Sequence, residues 1–491
     1  MAAESPKTIQ RHIMLFNSVD FLFFLPLVFA IYWTANKKSL SLQNLLLLIA
    51  SYYFYACWDW RFLFLLMFST GLDYFTGLKM HDAPNQKLKK FWFWLSIGIN
   101  VGFLGVFKYY NFFASSFAEL LSGFGFQINL LVLEVILPVG ISFYTFHGLS
   151  YVIDIYKKRI EPERDIVAYS LFVSYFPLLV AGPIERATHL LPQIKRKRVF
   201  NSNLAIDGVH QIIWGLFKKV VIADSCAIYA NEIFGKYDSV NSLTLFMGAL
   251  YFTFQIYGDF SGYSDIALGT SKLFGINLLR NFNFPYFSRD IAEFWRRWHI
   301  SLSTWFRDYL YIPLGGSQGG MKMKVRNTFI IFLVSGFWHG ANWTFIVWGL
   351  LNAVYFLPLL LTDRNRINME IVAKGQILPS FREFLSMLTT FFLAVIAWVF
   401  FRSETVGQAI IYLKRMFSLN FSGGVQYLSI ERYSVELLFL VLFFMFFEWI
   451  SREKEHPFFG KLKWVKLVIV IVALVAFGVY SQSSDFIYFQ F

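Results

Sequence analysis

The stretch Val435–Ile450 reads VELLFLVLFFMFFEWI and carries only two ionisable residues, both glutamates. A second run, Phe62–Phe68, reads FLFLLMF and has no polar residue. Runs of this kind carry more apolar surface than a soluble fold can hide, and lipid is their natural solvent. In the 491-residue chain 57% of residues are hydrophobic and 15% are charged, whereas soluble domains have about 25% charged residues. The sequence therefore predicts an integral membrane protein.

Apolar stretches long enough to cross a hydrocarbon core of about 30 Å recur along the chain, and we expect roughly ten to twelve spans. The clearer ones lie near residues 19–35, 41–57, 61–79, 91–110, 136–156, 205–231, 241–262, 328–361, 383–402, 434–450 and 467–481. Spanning backbone must satisfy its hydrogen bonds internally, so every span is expected to be an α-helix. No internal repeat and no soluble segment is visible. Residues 1–491 are predicted to form one all-α, multi-pass membrane domain.

Basic clusters between the apolar runs predict the orientation, because cytoplasmic loops are enriched in lysine and arginine. The clusters are Lys79–Lys90, Lys157–Arg159, Lys195–Arg198 and Arg452–Lys466. Five basic residues precede the final span and none follows it, so residues 482–491 are predicted to be an extracytoplasmic tail. This orientation requires residues 166–182 to be re-entrant and buried in protein. It also requires residues 328–361 to be two crossings.

The formal net charge of +13 does not indicate a nucleic-acid partner. The basic residues lie in short clusters between apolar runs, and no basic domain is visible. The two cysteines, Cys57 and Cys226, lie far apart in mostly apolar context and resemble neither a disulfide framework nor a metal site. No spacing of metal ligands is visible, so we expect no metal.

Ionisable residues are concentrated in the otherwise apolar and aromatic stretch Pro285–Gly316, PYFSRDIAEFWRRWHISLSTWFRDYLYIPLGG. They are Arg289, Asp290, Glu293, Arg296, Arg297, His299, Arg307 and Asp308. An arginine or aspartate facing lipid at the bilayer centre costs roughly 2.5 to 3.5 kcal/mol, so the stretch must line a cavity or lie at an interface. On a helix Glu293 can pair with Arg296 or Arg297. The alternative is an amphipathic interfacial helix anchored by tryptophan and arginine.

A second histidine, His339, lies in the stretch Arg326–Gly349, RNTFIIFLVSGFWHGANWTFIVWG, with apolar residues on both sides. An ionisable residue inside the membrane is a functional hypothesis, although a hydrogen-bonded core histidine is an open alternative. Gly336 and Gly340 would allow a neighbouring helix or a substrate to approach closely. Imidazole is suited to act as a general base that activates a hydroxyl for attack on a thioester.

These residues resemble the membrane-bound O-acyltransferase family, in its bacterial branch of alginate and peptidoglycan O-acetyltransferases and teichoic-acid D-alanyl transferases. The motifs that carry the resemblance are YGDFSGYSDIALG (Tyr257–Gly269), EFWRRWHISLSTWFRDYLYIPLGG (Glu293–Gly316) and FWHGANWTFIVWG (Phe337–Gly349). The resemblance implies a multi-helix bundle with a central tunnel in the bacterial inner membrane. It also implies that His339 is the essential histidine and His299 a second, less uniformly required one.

The resemblance further implies an acyl donor, acetyl-coenzyme A or another acyl thioester, that enters from the cytoplasm. The acceptor would be a cell-envelope polysaccharide reached through an extracytoplasmic transferase partner. A transporter or lipid flippase is the competing class, since it would also explain many spans and buried charges. A noncatalytic scaffold is a third possibility. Asp259 and Asp265 could support the tunnel or form interhelical hydrogen bonds.

The tail ends in SDFIYFQF, residues 484–491. Its last six residues resemble the F-I-Y-x-x-F ending of the small membrane partner in teichoic-acid D-alanylation, where the tyrosine is thought to carry the acyl group. A phenol can form a covalent ester if a base activates it. Tyr488 is therefore predicted to accept the acyl group, with His339 as the base. The alternative is that Tyr488 belongs to an interfacial aromatic belt.

Overall fold

The computed structural model describes residues 14–35, 39–126, 133, 137–179, 182–426, 436–480 and 486–487. All regular secondary structure in these residues is helical, and they contain no β-strand. The predicted all-α class is therefore confirmed.

The α-helices differ widely in length, and they are numbered here in chain order. They are α1 Val19–Ala35, α2 Leu40–His81, α3 Gln86–Leu104, α4 Tyr110–Gly123, α5 Ile141–Tyr156, α6 Ile166–Ser174, α7 Phe176–Leu179, α8 Ala187–Ile194, α9 Ser202–Leu216, α10 Asp224–Gly235, α11 Ser242–Leu273, α12 Ile291–Arg297, α13 Ile300–Phe306, α14 Gly320–His339, α15 Trp343–Leu361, α16 Phe381–Arg402, α17 Val406–Met416, α18 Glu436–Ile450 and α19 Lys463–Phe477. Three π-helical segments continue α3, α9 and α13 without a loop. They are Gly105–Tyr109, Phe217–Ala223 and Arg307–Tyr311.

Four helical stretches in the described residues are long and apolar enough to cross a membrane: Leu40–His81, Gln86–Gly123, Trp343–Leu361 and Phe381–Arg402. Val19–Thr34, Ile166–Leu179 and Leu437–Ile450 are shorter apolar helical stretches. A multi-pass membrane protein is therefore confirmed. That the chain crosses the membrane ten to twelve times stays a prediction. Several predicted spans are not single apolar α-helices, because polar residues or π-helical segments interrupt them.

The chain divides into two compact units. The first comprises Met1–Val101, Pro138–Val180 and Arg186–Phe200, and the second comprises Gly102–Leu137, Ala181–Glu185 and Asn201–Phe491. In the first unit α2 packs against α5 and α6. The predicted spans 41–57 and 61–79 are the two halves of α2.

A kink at Asp59 separates these halves of α2. The backbone of Asp59 is extended, with φ −161° and ψ 111°. Its side chain accepts a hydrogen bond from the Arg61 backbone N–H at 3.0 Å, so it caps the helical turn that follows. A short polar side chain of this kind competes with the helix for backbone donors, which explains why α2 breaks there.

In the second unit the long helix α11 packs along α9, α10 and α16, and α14 packs against α15. Residues 320–361 thus form two helices, as the sequence predicted for residues 328–361. The break follows His339, since Gly340 is extended and Asn342 caps α15 by accepting the Thr344 N–H at 3.0 Å. The crossing of the membrane by each helix stays a prediction.

Candidate functional site

The pairing of α14 with α15 depends on two glycines. A Cβ at Gly336 would overlap the carbonyl oxygen of Phe345, and a Cβ at Gly349 would overlap that of Phe332. The two backbones therefore lie closer together than any larger residue allows. The close approach that the sequence predicted at Gly336 is confirmed, and its partner is a helix. This packing fixes the end of α14, where His339 lies.

His339 is 3% exposed and lies among aromatic rings. Its ring centroid lies 4.9 Å from that of Trp338, 5.1 Å from that of Trp348 and 5.3 Å from that of Phe401. These rings belong to α14, α15 and α16. A histidine enclosed in this way is shielded from bulk water, as acyl transfer requires if the acyl group is not to be hydrolysed.

His299 joins α12 to α13 and has a left-handed backbone, with φ 44° and ψ 54°. It is 1% exposed, and its Nδ1 lies 3.0 Å from Asn281 Oδ1. The same oxygen accepts a hydrogen bond from Ser301 Oγ at 2.9 Å. Because an amide oxygen only accepts, His299 Nδ1 donates, and Nε2 is the acceptor nitrogen of the neutral ring.

The two histidines that the sequence singled out lie close together. Their ring centroids are 6.5 Å apart, and the Trp338 ring lies beside both, at 5.9 Å from the His299 ring. The Phe260 ring covers His299 from another side, at a centroid distance of 4.7 Å. The structure therefore brings the Glu293–Gly316 and Phe337–Gly349 motifs into one buried aromatic site.

The charged side chains of α12 bind other groups of the protein. Glu293 is 1% exposed; its carboxylate lies 2.8 Å from Arg297 Nη2 and 3.1 Å from Arg289 Nε. Arg296 instead donates to the carbonyl oxygens of Asn365 and Asn368, each at 2.8 Å. Of the two predicted pairings, that with Arg297 is confirmed and that with Arg296 is wrong. The burial of Glu293 and Arg297 indicates that this stretch lies within the protein. It argues against the alternative of an amphipathic helix at the membrane interface.

A cavity of about 450 Å³ lies beside α14. Its lining on this helix includes Lys324, Thr328, Ile331 and Ser335, which are spaced by three or four residues and so share one face. The same spacing continues to His339, about 6 Å beyond Ser335 along the helix axis. The cavity therefore follows the helix face that carries the histidine.

Both aromatic and charged side chains line the cavity. The aromatic ones include Trp295, Phe306, Phe332 and Phe356. The charged lining residues are Arg307, Lys324, Asp363 and Arg366. A volume of this size is in the range of small-molecule sites, which combine an apolar lining with a few polar groups. Within the described residues, no cluster of three or more histidine, cysteine or acidic side chains could hold a metal ion.

Comparison with known proteins identifies the family. A family model described as MBOAT, membrane-bound O-acyltransferase family, matches residues 157–397. A probable alginate O-acetylase of Pseudomonas aeruginosa is 40% identical over 418 residues, which cover 85% of this chain and 76% of the relative. The chain belongs to the membrane-bound O-acyltransferase family. It is an O-acyltransferase, as the sequence motifs predicted.

Two further relatives are similar to this acyltransferase. A peptidoglycan O-acetyltransferase of Helicobacter pylori is 36% identical over 468 residues, covering 89% of this chain and 86% of the relative. A teichoic acid D-alanyltransferase of Bacillus subtilis is 31% identical over 234 residues, covering 44% of this chain and 57% of the relative. All three branches that the sequence resembled are therefore represented.

Two buried lysines of the acyltransferase, in the π-helical segment Phe217–Ala223, were missed from sequence. Lys218 Nζ lies 3.0 Å from Asp265 Oδ2 and 2.9 Å from Glu448 Oε1. Lys219 Nζ lies 2.8 Å from Asp224 Oδ1 and 2.9 Å from Asp259 Oδ1. Of the two predicted roles for Asp259 and Asp265, interhelical bonding is confirmed. A signal was present, since two adjacent lysines interrupt the apolar run 205–231.

Two residues of the acyltransferase's tail, Phe486 and Ile487, are described, and both are buried. The Ile487 N–H donates to Asp259 Oδ2 at 2.7 Å. The Phe486 ring centroid lies 4.5 Å from that of Tyr263 and 6.0 Å from that of Phe260. Tyr488, the predicted acyl acceptor, lies outside the described residues.

Proposed function

We propose that this O-acyltransferase moves an acetyl group from a cytoplasmic thioester, acetyl-coenzyme A or another acyl thioester, across the bacterial inner membrane toward a cell-envelope polysaccharide. The observation that carries the proposal is the pair of buried histidines, His339 and His299, of which His339 lies about one turn beyond the cavity-lining Ser335 on the same face of α14. Two relatives support the acetyl group and the polysaccharide acceptor, since their names specify O-acetylation of alginate or of peptidoglycan.

The cavity beside α14 is the proposed donor site. Its aromatic walls suit a pantetheine-like arm with its acyl group, and its basic side chains suit donor phosphates. Two of these basic groups are paired with acids: Arg307 Nε lies 2.7 Å from Asp308 Oδ1 and Lys324 Nζ lies 3.5 Å from Asp363 Oδ1. A thioester that lies along α14 would present its carbonyl carbon at the end near His339.

His339 is the proposed general base. It takes the proton from an attacking hydroxyl, a new oxygen–carbon bond forms at the thioester carbonyl, and the carbon–sulfur bond breaks. The imidazolium then returns the proton to the leaving thiolate, so the histidine is regenerated. His299 is the proposed supporting residue, oriented by Asn281 through the bond at its Nδ1.

Tyr488 is the proposed first acyl acceptor. It follows Ile487 directly in the chain, and Ile487 is held by Asp259. Phe486 packs on Phe260, whose ring in turn covers His299. These contacts support a tail that reaches the histidine site. The phenol oxygen would form an aryl ester and then pass the acyl group to an extracytoplasmic transferase, which regenerates the phenol.

The histidine assignment is tested with purified protein and a panel of labelled acyl thioesters that includes acetyl-coenzyme A. We expect His339→Ala to lose at least about 100-fold in acyl transfer, the usual contribution of a general base, while it still inserts into the membrane. Near-normal turnover in a correctly inserted His339→Ala protein would overturn the proposal.

The donor cavity is tested with two tryptophan substitutions on α14. Thr328→Trp fills the cavity, and we expect it to raise the KM for the thioester at least about 10-fold because the donor loses its site. Val334→Trp is the matched control, since Val334 lies on the same helix and is 38% exposed on another face. Equal KM values for the two variants would exclude this cavity as the donor site.

A further inference from the structure

The π-helical segment Gly105–Tyr109 contacts the helix that ends in His339. Lys108 Nζ lies 2.8 Å from the Trp338 carbonyl oxygen and 3.4 Å from that of His339. The neighbouring Tyr109 hydroxyl donates to the Phe337 carbonyl oxygen at 3.2 Å. Two consecutive side chains thus bind three consecutive carbonyls in the last turn of α14.

The end of α14 needs such donors. The last four carbonyls of a helix have no partner within the helix. Here the chain turns away at the extended Gly340, and Trp338 and His339 are buried, so bulk water has little access to the carbonyls of these two residues. Lys108 and Tyr109 supply the missing donors from another helix. π-Helical segments are rare and are frequently found at functional sites, which agrees with this use.

Ring contacts fix the same region from the side. The Tyr109 ring stacks on that of Phe337, with centroids 4.2 Å apart and an interplanar angle of 16°. Lys108 Nζ lies 5.8 Å from the centroid of the Trp338 ring, and that ring lies beside both histidines. A shift of Lys108 would therefore move the backbone of His339 and the ring beside it.

We propose that Lys108 is a positioning residue for acyl transfer, which fixes the last turn of α14 and thereby aims His339 at the reacting carbonyl. The proposal rests on the proposed function of His339. The hydrogen bond from Lys108 to His339 goes to the backbone carbonyl, so the proposed role of Lys108 is to orient the histidine, and it takes no part in the bond changes. Tyr109 has the same role to a smaller extent, because it binds one carbonyl and its ring stays stacked without the hydroxyl.

The test compares kcat and KM of purified variants with a labelled acyl thioester. Lys108→Met keeps the apolar stem but removes the donors. We expect kcat to fall about 10- to 100-fold, because misplacing a catalytic group by about 1 Å can cost about 100-fold. The KM should stay within about twofold, because the donor cavity is unchanged. Lys108→Arg restores N–H donors and should recover part of kcat. Tyr109→Phe should lower kcat about two- to fivefold.

Asn111→Leu is the matched control. Asn111 lies on the same continuous helix, but its side chain binds the backbone of Leu133. The substitution should therefore leave kcat unchanged.

A wild-type kcat in Lys108→Met, or a loss that Lys108→Arg does not reduce, would overturn the proposal. If Lys108→Met does not fold, Tyr109→Phe decides, and a wild-type kcat there counts against it. His339→Ala is measured in parallel. Full activity in that variant contradicts the proposed function, whereas an inactive His339→Ala with a normal Lys108→Met contradicts only this inference.

Discussion

Two π-helical segments of the second unit each carry lysines that bind groups on other helices, and they hold these lysines in different ways. In Phe217–Ala223 each lysine lies between two carboxylates, and Lys219 is bound by Asp224 and Asp259. In Gly105–Tyr109 the acceptors of Lys108 are backbone carbonyls at the end of α14. Within the described parts of the chain, Lys108 forms no ion pair.

The difference indicates different roles. Removing Lys219 would leave two buried carboxylates uncompensated, which costs about 3–5 kcal/mol for a broken buried pair. Removing Lys108 would leave one or two carbonyls unsatisfied, at about 1–3 kcal/mol, and would release the helix end that carries His339. We therefore expect the segment Phe217–Ala223 to govern stability and the segment Gly105–Tyr109 to govern turnover.

The largest effect is expected for Lys219→Met. The free energy of unfolding should fall by about 3–5 kcal/mol, measured by denaturant unfolding in detergent. Lys236→Met is the control, because Lys236 is exposed and its pair with Glu232 is worth about 0–1 kcal/mol. A Lys219→Met protein of normal stability that has lost turnover would reverse the assigned roles.

A smaller loss of stability is expected for Glu448→Gln. Glu448 is 1% exposed, binds Lys218 and accepts a hydrogen bond from the Tyr257 hydroxyl. Lys218 keeps Asp265 as a partner in this variant, so the loss should be about 1–3 kcal/mol, the cost of weakening a charge-assisted bond. The same unfolding measurement applies. A loss as large as that of Lys219→Met would show that Asp265 does not compensate.

A partial loss of activity without a matching loss of stability is expected for His299→Ala. The His299 ring is bound by Asn281, and kcat should fall about 10-fold because His299 supports His339 in the proposed mechanism. Steady-state kinetics and the unfolding measurement are made on the same preparation. An unchanged kcat would show that His299 has a purely structural role.

The sequence predicted the fold class, because long apolar runs are a local signal. Ionisable residues within such runs are a local signal too, and they singled out His299 and His339, which the structure brings together; the catalytic role of these histidines stays a prediction. It also predicted two helices within residues 328–361 from the charge pattern alone. The lysine network was missed because three of its four carboxylates are distant in sequence, as in the pair of Lys218 with Glu448. The position of Lys108 was missed for the same reason, since its acceptors lie more than 200 residues away. The left-handed backbone at His299 has no signal in the residue types around it.

Acyl transfer to the C-terminal tail is tested by mass spectrometry of the C-terminal peptide after incubation of the whole protein with a labelled acyl thioester. We expect the label on Tyr488 in the wild-type protein, and no label there in Tyr488→Phe or His339→Ala. An unmodified peptide in a protein that still transfers acyl groups, or full activity in Tyr488→Phe, would contradict the account.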